Sequence, residues 1–247
     1  MKIALAQSLS VKGDIEQNLQ NHLKLIQSAI QTGAELVVFP ELSLTNYEPE
    51  LAEPLACGLD DSRFHPFQQL ADAHRVVICV GMPIRTQWGI IIGMIIFQPH
   101  VARVLYMKGL LHEDELPYFV AGVAQHSVTL GGQKIAFGIC YEALQREHFV
   151  TAAQGADLYI ASVAKDLGGT EKAHAQFPSV AQEFSIPVLM SNCVGHCDNF
   201  WSKGKSAVWN RQGQLAAQLK EAQPGLLIYD TQSGDSVIQY INPNEVH

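Results

Sequence analysis

The chain alternates between two hydrophobic rhythms. Lys2 to Gln7 is apolar at most positions and reads as a strand. Ile15, Leu19, Leu23, Ile26 and Ile30 then follow the spacing of one helix face. Asp14 stands at the N-cap of that helix, and Gly33 suits its C′ position. Leu36-Val37-Val38-Phe39 is a fully apolar strand stopped by Pro40. Phe64 to His74 is a second helical pattern, leading into a strand at Val76-Val77-Ile78-Cys79-Val80. Ile90 to Gln98 and Val101 to Met107 predict a hairpin around Pro99-His100. Lys108 to Gly122 has no clean period and carries Pro117, which predicts a long, partly ordered loop. His126 to Leu130 and Lys134 to Cys140 predict another hairpin across Gly131-Gly132.

The second half repeats the alternation. A helix is expected from about residue 143 to 154, a strand at Leu158 to Ser162, a helix near Glu171 to Phe184 and a strand at Pro187 to Ser191. Ser206 to Asn210 and Gln214 to Leu219 form a hairpin through Arg211-Gln212-Gly213, and Gly225 to Asp230 is read as the last strand. Such alternation predicts an α/β protein with helices packed outside the sheet, and the β-rich middle points to two sheets. No Pro/Gly/Ser-rich linker, low-complexity tract or repeat divides the chain, so residues 1–247 are read as one domain.

Composition narrows the function. With 247 residues, 47% of them apolar and 16% charged, the chain can bury a large core. A formal charge of −8 and scattered basic residues disfavour a nucleic-acid partner. The longest apolar window, Ile90 to Phe97, is far short of the roughly 20 residues that span a bilayer. Met1 to Gln7 reaches a polar residue too soon for a leader. The expectation is a cytoplasmic protein with no membrane contact. Five cysteines, an odd count without regular spacing, argue against a disulfide framework.

Three positions carry chemistry. Cys140 ends a strand before a turn, with Gly138 leaving room beside the thiol, and the N–H of Tyr141 follows it as an oxyanion donor. The bland alternative is a buried structural cysteine. Glu41 directly follows Val37-Val38-Phe39-Pro40, a costly place for a carboxylate without partners. Lys108 opens the irregular loop. Alone, Glu41 reads as a surface residue and Lys108 as a solvated one. Together they supply a nucleophile, a base and a cation for an oxyanion. His112, Glu113, Asp114 and Glu115 crowd together, but neighbours in sequence seldom share one cation without distant ligands. No metal site and no organic cofactor are assigned.

These segments resemble the nitrilase (carbon–nitrogen hydrolase) superfamily over essentially the whole chain. Its three motifs are similar to Phe39-Pro40-Glu41-Leu42-Ser43-Leu44-Thr45-Asn46-Tyr47, to Tyr106-Met107-Lys108-Gly109-Leu110-Leu111-His112, and to Gly138-Ile139-Cys140-Tyr141-Glu142. The resemblance implies a four-layer α-β-β-α sandwich, paired as a homodimer or higher homo-oligomer. It implies a Glu-Lys-Cys triad, with Glu41 as general base, Lys108 holding the oxyanion and Cys140 as nucleophile. A second glutamate is implied in the loop, with Glu115 favoured over Glu113 because Phe119 and Gly122 follow it at family-like offsets. Tyr47, Tyr141, Val163 and Asn192 fall where the family forms its substrate pocket.

The implied activity is hydrolysis of a small amide, with N-carbamoyl compounds or nitriles as alternatives. One departure bears on substrate. Many amidases of the family have an Arg-Phe-Pro run after the cysteine, where this chain has Ala143-Leu144-Gln145 and only later Arg146. That removes the family's ready site for a substrate carboxylate, and leaves Lys165, Lys172 and His174 as pocket neighbours. Cys193, His196 and Cys197 are read as small pocket-wall residues rather than ligands. Two other classes remain open. One is a Cys–His hydrolase using His148, His174 or His196, which would leave Phe39-Pro40-Glu41 and Lys108 without a role. The other is a silent ligand-binding member of the same fold.

Overall fold

The computed structural model describes residues 1–123 and 127–241, so His126, the first residue of one expected strand, lies outside it. The strands are β1 (Lys2–Gln7), β2 (Leu36–Val38), β3 (Val77–Thr86), β4 (Gly89–Phe97), β5 (Val104–Met107), β6 (Ser127–Leu130), β7 (Gln133–Ile139), β8 (Leu158–Val163), β9 (Val188–Asn192), β10 (Val194–Cys197), β11 (Phe200–Lys203), β12 (Ala207–Trp209), β13 (Leu215–Gln218), β14 (Gly225–Asp230) and β15 (Ser236–Tyr240). The α-helices are α1 (Ile15–Gln31), α2 (Ala52–Leu55), α3 (His65–His74), α4 (Arg146–Ala153) and α5 (Leu167–Phe184).

Two sheets follow from strands that are apolar on both faces. One has seven strands in the order β15-β14-β1-β2-β3-β4-β5, and the other has six in the order β13-β12-β9-β8-β7-β6. In β1, Ile3 and Leu5 point into the layer between the sheets, while Ala4 and Ala6 pack with Leu19, Ile26 and Phe67 of α1 and α3. In β7, Ile135, Phe137 and Ile139 face between the sheets and Ala136 faces Phe149 and Phe177 of α4 and α5. The layers are therefore helix, sheet, sheet, helix. The central strands β1-β2-β3 and β7-β8-β9 are parallel, and antiparallel neighbours flank them.

Hydroxyl groups tie the sheets together where the central strands end. Ser191 Oγ donates to Ala6 O at 2.8 Å, and Ser162 Oγ donates to Phe39 O at 2.8 Å. Cys140 N donates in turn to Ser162 O at 3.0 Å. The end of β2, the end of β8 and the residue after β7 are thus held by one chain of hydrogen bonds.

Several elements differ from the expectation. Strand β3 runs past Val80 and through Pro83 to Thr86. Pro83 is tolerated because its carbonyl accepts from Cys57 N on the side away from β4, so the missing N–H also lies on that side. The helix expected over 143–154 is broken at Gln145, which is extended, leaving a 3₁₀ turn at Glu142–Leu144 before α4. Helix α5 starts earlier than Glu171, at Leu167, because Asp166 accepts from Gly169 N at 2.6 Å and caps it. The β10–β11 hairpin was not anticipated, and β15 follows the strand expected to be last. No helix among the described residues is long and apolar enough to cross a membrane.

Candidate active site

Glu41 is aimed by a tight turn laid over a neighbouring strand. Leu42 has φ +50°, and a Cβ at Gly81 of β3 would fall 2.3 Å from Leu42 N and 2.6 Å from Pro40 O. Only glycine lets β3 pass that close beneath the turn. The Glu41 side chain is fully buried, and its Oε1 accepts from Lys108 Nζ at 2.7 Å. Its Oε2 has no hydrogen-bond partner among the described residues. A bare, buried carboxylate oxygen is costly and calls for an explanation.

Lys108 follows β5 and is completely buried. Its ammonium also donates to Glu115 Oε1 at 2.5 Å, so one cation sits between two carboxylates. The segment expected to be a partly ordered loop is pinned by its own backbone. Glu115 Oε2 accepts from His112 N at 2.8 Å, Phe119 N donates to Glu115 O at 2.9 Å, and Gly122 N donates to Lys108 O at 2.8 Å. A Cβ on Gly122 would lie 2.3 Å from that of Met107, which requires glycine where the loop closes on β5. Tyr47 Oη donates to Glu115 Oε1 at 3.0 Å and to Asp114 Oδ2 at 3.2 Å. Glu113 is exposed, so Glu115 is the loop glutamate that meets the lysine.

Cys140 sits just beyond β7 with φ +48°, a left-handed conformation that costs a non-glycine residue about 1–2 kcal/mol. Such strain at a strand end turns the side chain out of the strand's alternation. Cys140 touches both the layer between the sheets and the helix-side layer, and its Sγ lies 3.5 Å from Ala164 O. Gly138 does not make room for the thiol as expected. A Cβ there would fall 1.8 Å from Tyr159 Oη, so the space belongs to that hydroxyl.

The electrostatics follow from two carboxylates, one buried ammonium and little water. Burial pushes Glu41 up to about 7, against the pull of Lys108, with Glu115 adding to the rise and the Cys140 side chain among the groups opposing it. Burial pulls Lys108 down, but the charges of Glu41 and Glu115 outweigh it and hold the ammonium well above its ordinary range. Burial and then the Glu41 charge push the Cys140 thiol up to about 12, while Lys165 and Lys108 pull it down. Burial, with Glu41 and Glu115 close by, also keeps the Tyr47 hydroxyl protonated as a donor.

Sequence reasoning assigned no role to Glu142, although the third motif contains it. Its Oε1 accepts from Tyr106 Oη at 2.7 Å and Ile139 N at 2.8 Å. Its Oε2 accepts from Gly109 N at 2.7 Å and Leu110 N at 3.2 Å. One carboxylate therefore fastens the turn carrying Cys140 to the loop carrying Lys108. The signal in the sequence was a glutamate just past an apolar strand, two residues beyond Cys140, much like the signal that singled out Glu41.

A cleft of about 990 Å³ opens over these groups, with Tyr47, Glu115, Cys140, Tyr141, Lys165 and Phe200 on its walls. Val163 and Asn192 do not reach it. Val163 is buried against the helices, and Asn192 is buried behind Lys165, accepting from Lys165 N at 3.0 Å and donating to Gly204 O at 2.8 Å. Arg146 is paired on the surface with Glu183, at 2.9 and 2.6 Å. The histidines are engaged away from the thiol. His148 lies between the hydroxyls of Tyr106 and Tyr159, His174 meets Lys205 O at 3.0 Å, and His196 is edge-on to Trp201. Cys193 and Cys197 are buried with their sulfurs 3.5 Å apart.

Comparison with known proteins gives the family. Residues 2–237 match the carbon-nitrogen hydrolase family, and the chain belongs to it. An amidase from Nesterenkonia sp. AN1 has a similar structure, with TM-score 0.84 and 25% identity, covering 95% of this chain and 94% of that one. Further structures of that amidase, at 24% identity and TM-score 0.83, hold butyramide or show covalent addition of the acetamide moiety of fluoroacetamide at its active-site cysteine; each covers 92% of this chain and 89% of that one. The glutamine-dependent NAD(+) synthetase of Aquifex aeolicus is 25% identical over 96% of this chain. The alignment takes in only 43% of that relative, so the chain spans less than half its length.

Proposed function

We propose that this carbon–nitrogen hydrolase cleaves a small primary amide, releases ammonia and passes through a thioester on Cys140. The observation that carries the reading is the Oε2 of Glu41, buried beside Lys108 with no hydrogen-bond partner among the described residues, on a carboxylate that the Cys140 side chain also acts on. With Cys140 near 12 the thiol keeps its proton at neutral pH, and with Glu41 near 7 about half of the carboxylates are ionised and able to receive it. The proton therefore moves as sulfur attacks the amide carbon, not before.

Attack places negative charge on the former carbonyl oxygen. Lys108 and the N–H of Tyr141 stabilise it, and Glu115 and Tyr47 keep the ammonium in place. Glu41, now protonated, gives its proton to the leaving nitrogen, and ammonia departs. Glu41 then takes a proton from water, hydroxide adds to the thioester carbon, and the acid is released as the thiol recovers its proton.

The similar proteins support the amide over the nitrile or carbamoyl alternatives. The Nesterenkonia protein is an amidase with an active-site cysteine, and the curated relative depends on glutamine, whose side chain ends in a primary amide. The test is ammonia release from a panel of aliphatic amides, ω-amides, carbamoyl amino acids and nitriles, with wild type and Cys140→Ala side by side. Release from amides that disappears in Cys140→Ala is expected. Release that survives the substitution would overturn the mechanism, and release from nitriles or carbamoyl compounds alone would overturn the substrate.

A further inference from the structure

Lys165 is a second cation at the reacting centre, and the steps above do not use it. It is 7% exposed and lines the cleft. Its backbone is fixed on both sides: its N–H donates to Asn192 Oδ1 at 3.0 Å, and its carbonyl accepts from Ser202 Oγ at 2.7 Å. A Cβ on Gly169 would stand 3.4 Å from Lys165 Cβ and 3.5 Å from Cδ, so the aliphatic stem rests on the first turn of α5. Yet among the described residues no hydrogen bond or ion pair engages its ammonium. Lys165 also follows Ala164, whose carbonyl is the neighbour of Cys140 Sγ.

The acidic groups on the cleft wall have other work. Glu115 is held by Lys108, Asp114 meets His112 Nδ1 at 2.5 Å and Tyr47 Oη at 3.2 Å, and Asp166 caps Gly169 N at 2.6 Å. Lys172, exposed on the next turn of the helix, also lines the cleft. An ammonium removed from most of its water, with no anion supplied by the described residues, is costly unless a ligand supplies one.

From this geometry we infer that Lys165 binds a carboxylate of the substrate, making the preferred substrate the monoamide of a short dicarboxylic acid. The inference rests on the amide-hydrolase reading above and assigns its substrate class. The anchor lies on the β8–α5 connection, not on the turn after the cysteine, so the absence of an arginine at Ala143-Leu144-Gln145 does not exclude acidic substrates.

The test compares succinamate with succinamide, which match in shape and differ in charge, and glutaramate with glutaramide. Wild type is expected to favour the anion by at least about ten-fold in kcat/KM, mainly through KM. Lys165→Met should bring the ratio close to one, and Lys165→Arg should keep most of the preference. The ratio is the readout because any effect on the thiol acts on both amides alike. A wild-type ratio near or below one, or a preference that survives Lys165→Met, would overturn the inference and leave the hydrolase reading intact.

A binding arm separates the two readings if no amide is turned over. Succinate and glutarate should raise the thermal midpoint of Cys140→Ala, and that rise should vanish in Cys140→Ala/Lys165→Met while Cys140→Ala/Lys165→Arg retains it. No rise in Cys140→Ala, or an equal rise with and without Lys165, would overturn the carboxylate site.

Discussion

Two buried glutamates flank Lys108 and its loop, and the chain treats them in opposite ways. Glu142 has both oxygens filled by four donors, Tyr106 Oη and the N–H groups of Ile139, Gly109 and Leu110. Glu41 has one oxygen on Lys108, and the other has no hydrogen-bond partner among the described residues. Both sit at the end of an apolar strand and both are nearly inaccessible. A satisfied carboxylate fixes geometry, because every lone pair is committed. An unsatisfied one raises the energy of the resting protein and keeps an acceptor in reserve for a proton. On the proposed mechanism the Glu142 region is the brace and the Glu41 region the reagent.

The largest effect is expected where this contrast is forced to fail. Lys108→Met leaves Glu41 and Glu115 facing each other without a cation. Amide hydrolysis should be lost, and stability should fall by about 3–5 kcal/mol at neutral pH in denaturant titrations. An unchanged midpoint would mean that the triad electrostatics are wrong.

Glu41→Gln should separate stability from activity. Activity should fall by about 10²–10⁴-fold. The Glu41 carboxyl is raised in the folded state to about 7 from an ordinary value of 4.5. Its contribution to stability is thus fully present below about 4.5 and is lost as pH rises through 7, an effect of about 3 kcal/mol. Wild type should therefore lose stability between about pH 4.5 and 7, and the Gln variant should lose less. The Glu41 charge also raises the Cys140 thiol, so alkylation of Cys140 by iodoacetamide at pH 8 should become faster in Glu41→Gln even as hydrolysis collapses.

Glu142→Gln probes the brace. Its amide nitrogen must face backbone N–H donors on one side, and stability should fall by about 1–3 kcal/mol, with a lower kcat but no altered pH profile. Ser162→Ala, which cuts the link from β8 to Phe39 O while leaving the backbone bond to Cys140, should cost only about 1 kcal/mol and move kcat slightly. A loss from Ser162→Ala larger than that from Glu142→Gln would place the brace between the sheets instead of at Glu142.

The sequence spoke most clearly where one residue decides the local outcome. Asp14 accepts from Gln17 N, and Gly33 has φ +80° just past the C-cap of α1, as their types and places required. Strand β1 runs from Lys2 to Gln7 as its apolar run indicated. Glu41, Lys108 and Cys140 were legible because each is an awkward residue at the end of an apolar strand and three short motifs placed them in order, whereas Glu115 came only from the family resemblance and the offsets of Phe119 and Gly122. Tertiary contacts hid the rest. Gly81 looks like an ordinary strand residue until the Pro40–Leu42 turn is laid across it, and Gly138 serves Tyr159 instead of the thiol. Asn192, expected on the cleft wall, instead holds the backbone of Lys165, which was read as a pocket neighbour and does line the cleft. The β10–β11 hairpin was missed because Gly195, the exposed His196 and two buried cysteines show no alternation that a strand reading would accept.

The central claim is that the bare oxygen of Glu41 takes the proton from Cys140. Its most direct test is the pH dependence of kcat/KM for ammonia release in wild type and Glu41→Gln, on the best amide of the panel. The wild-type rate should fall as pH drops through about 7, and the variant should keep a residual rate without that acidic limb. A variant that keeps the wild-type rate to within a few-fold and shows the same limb would contradict it.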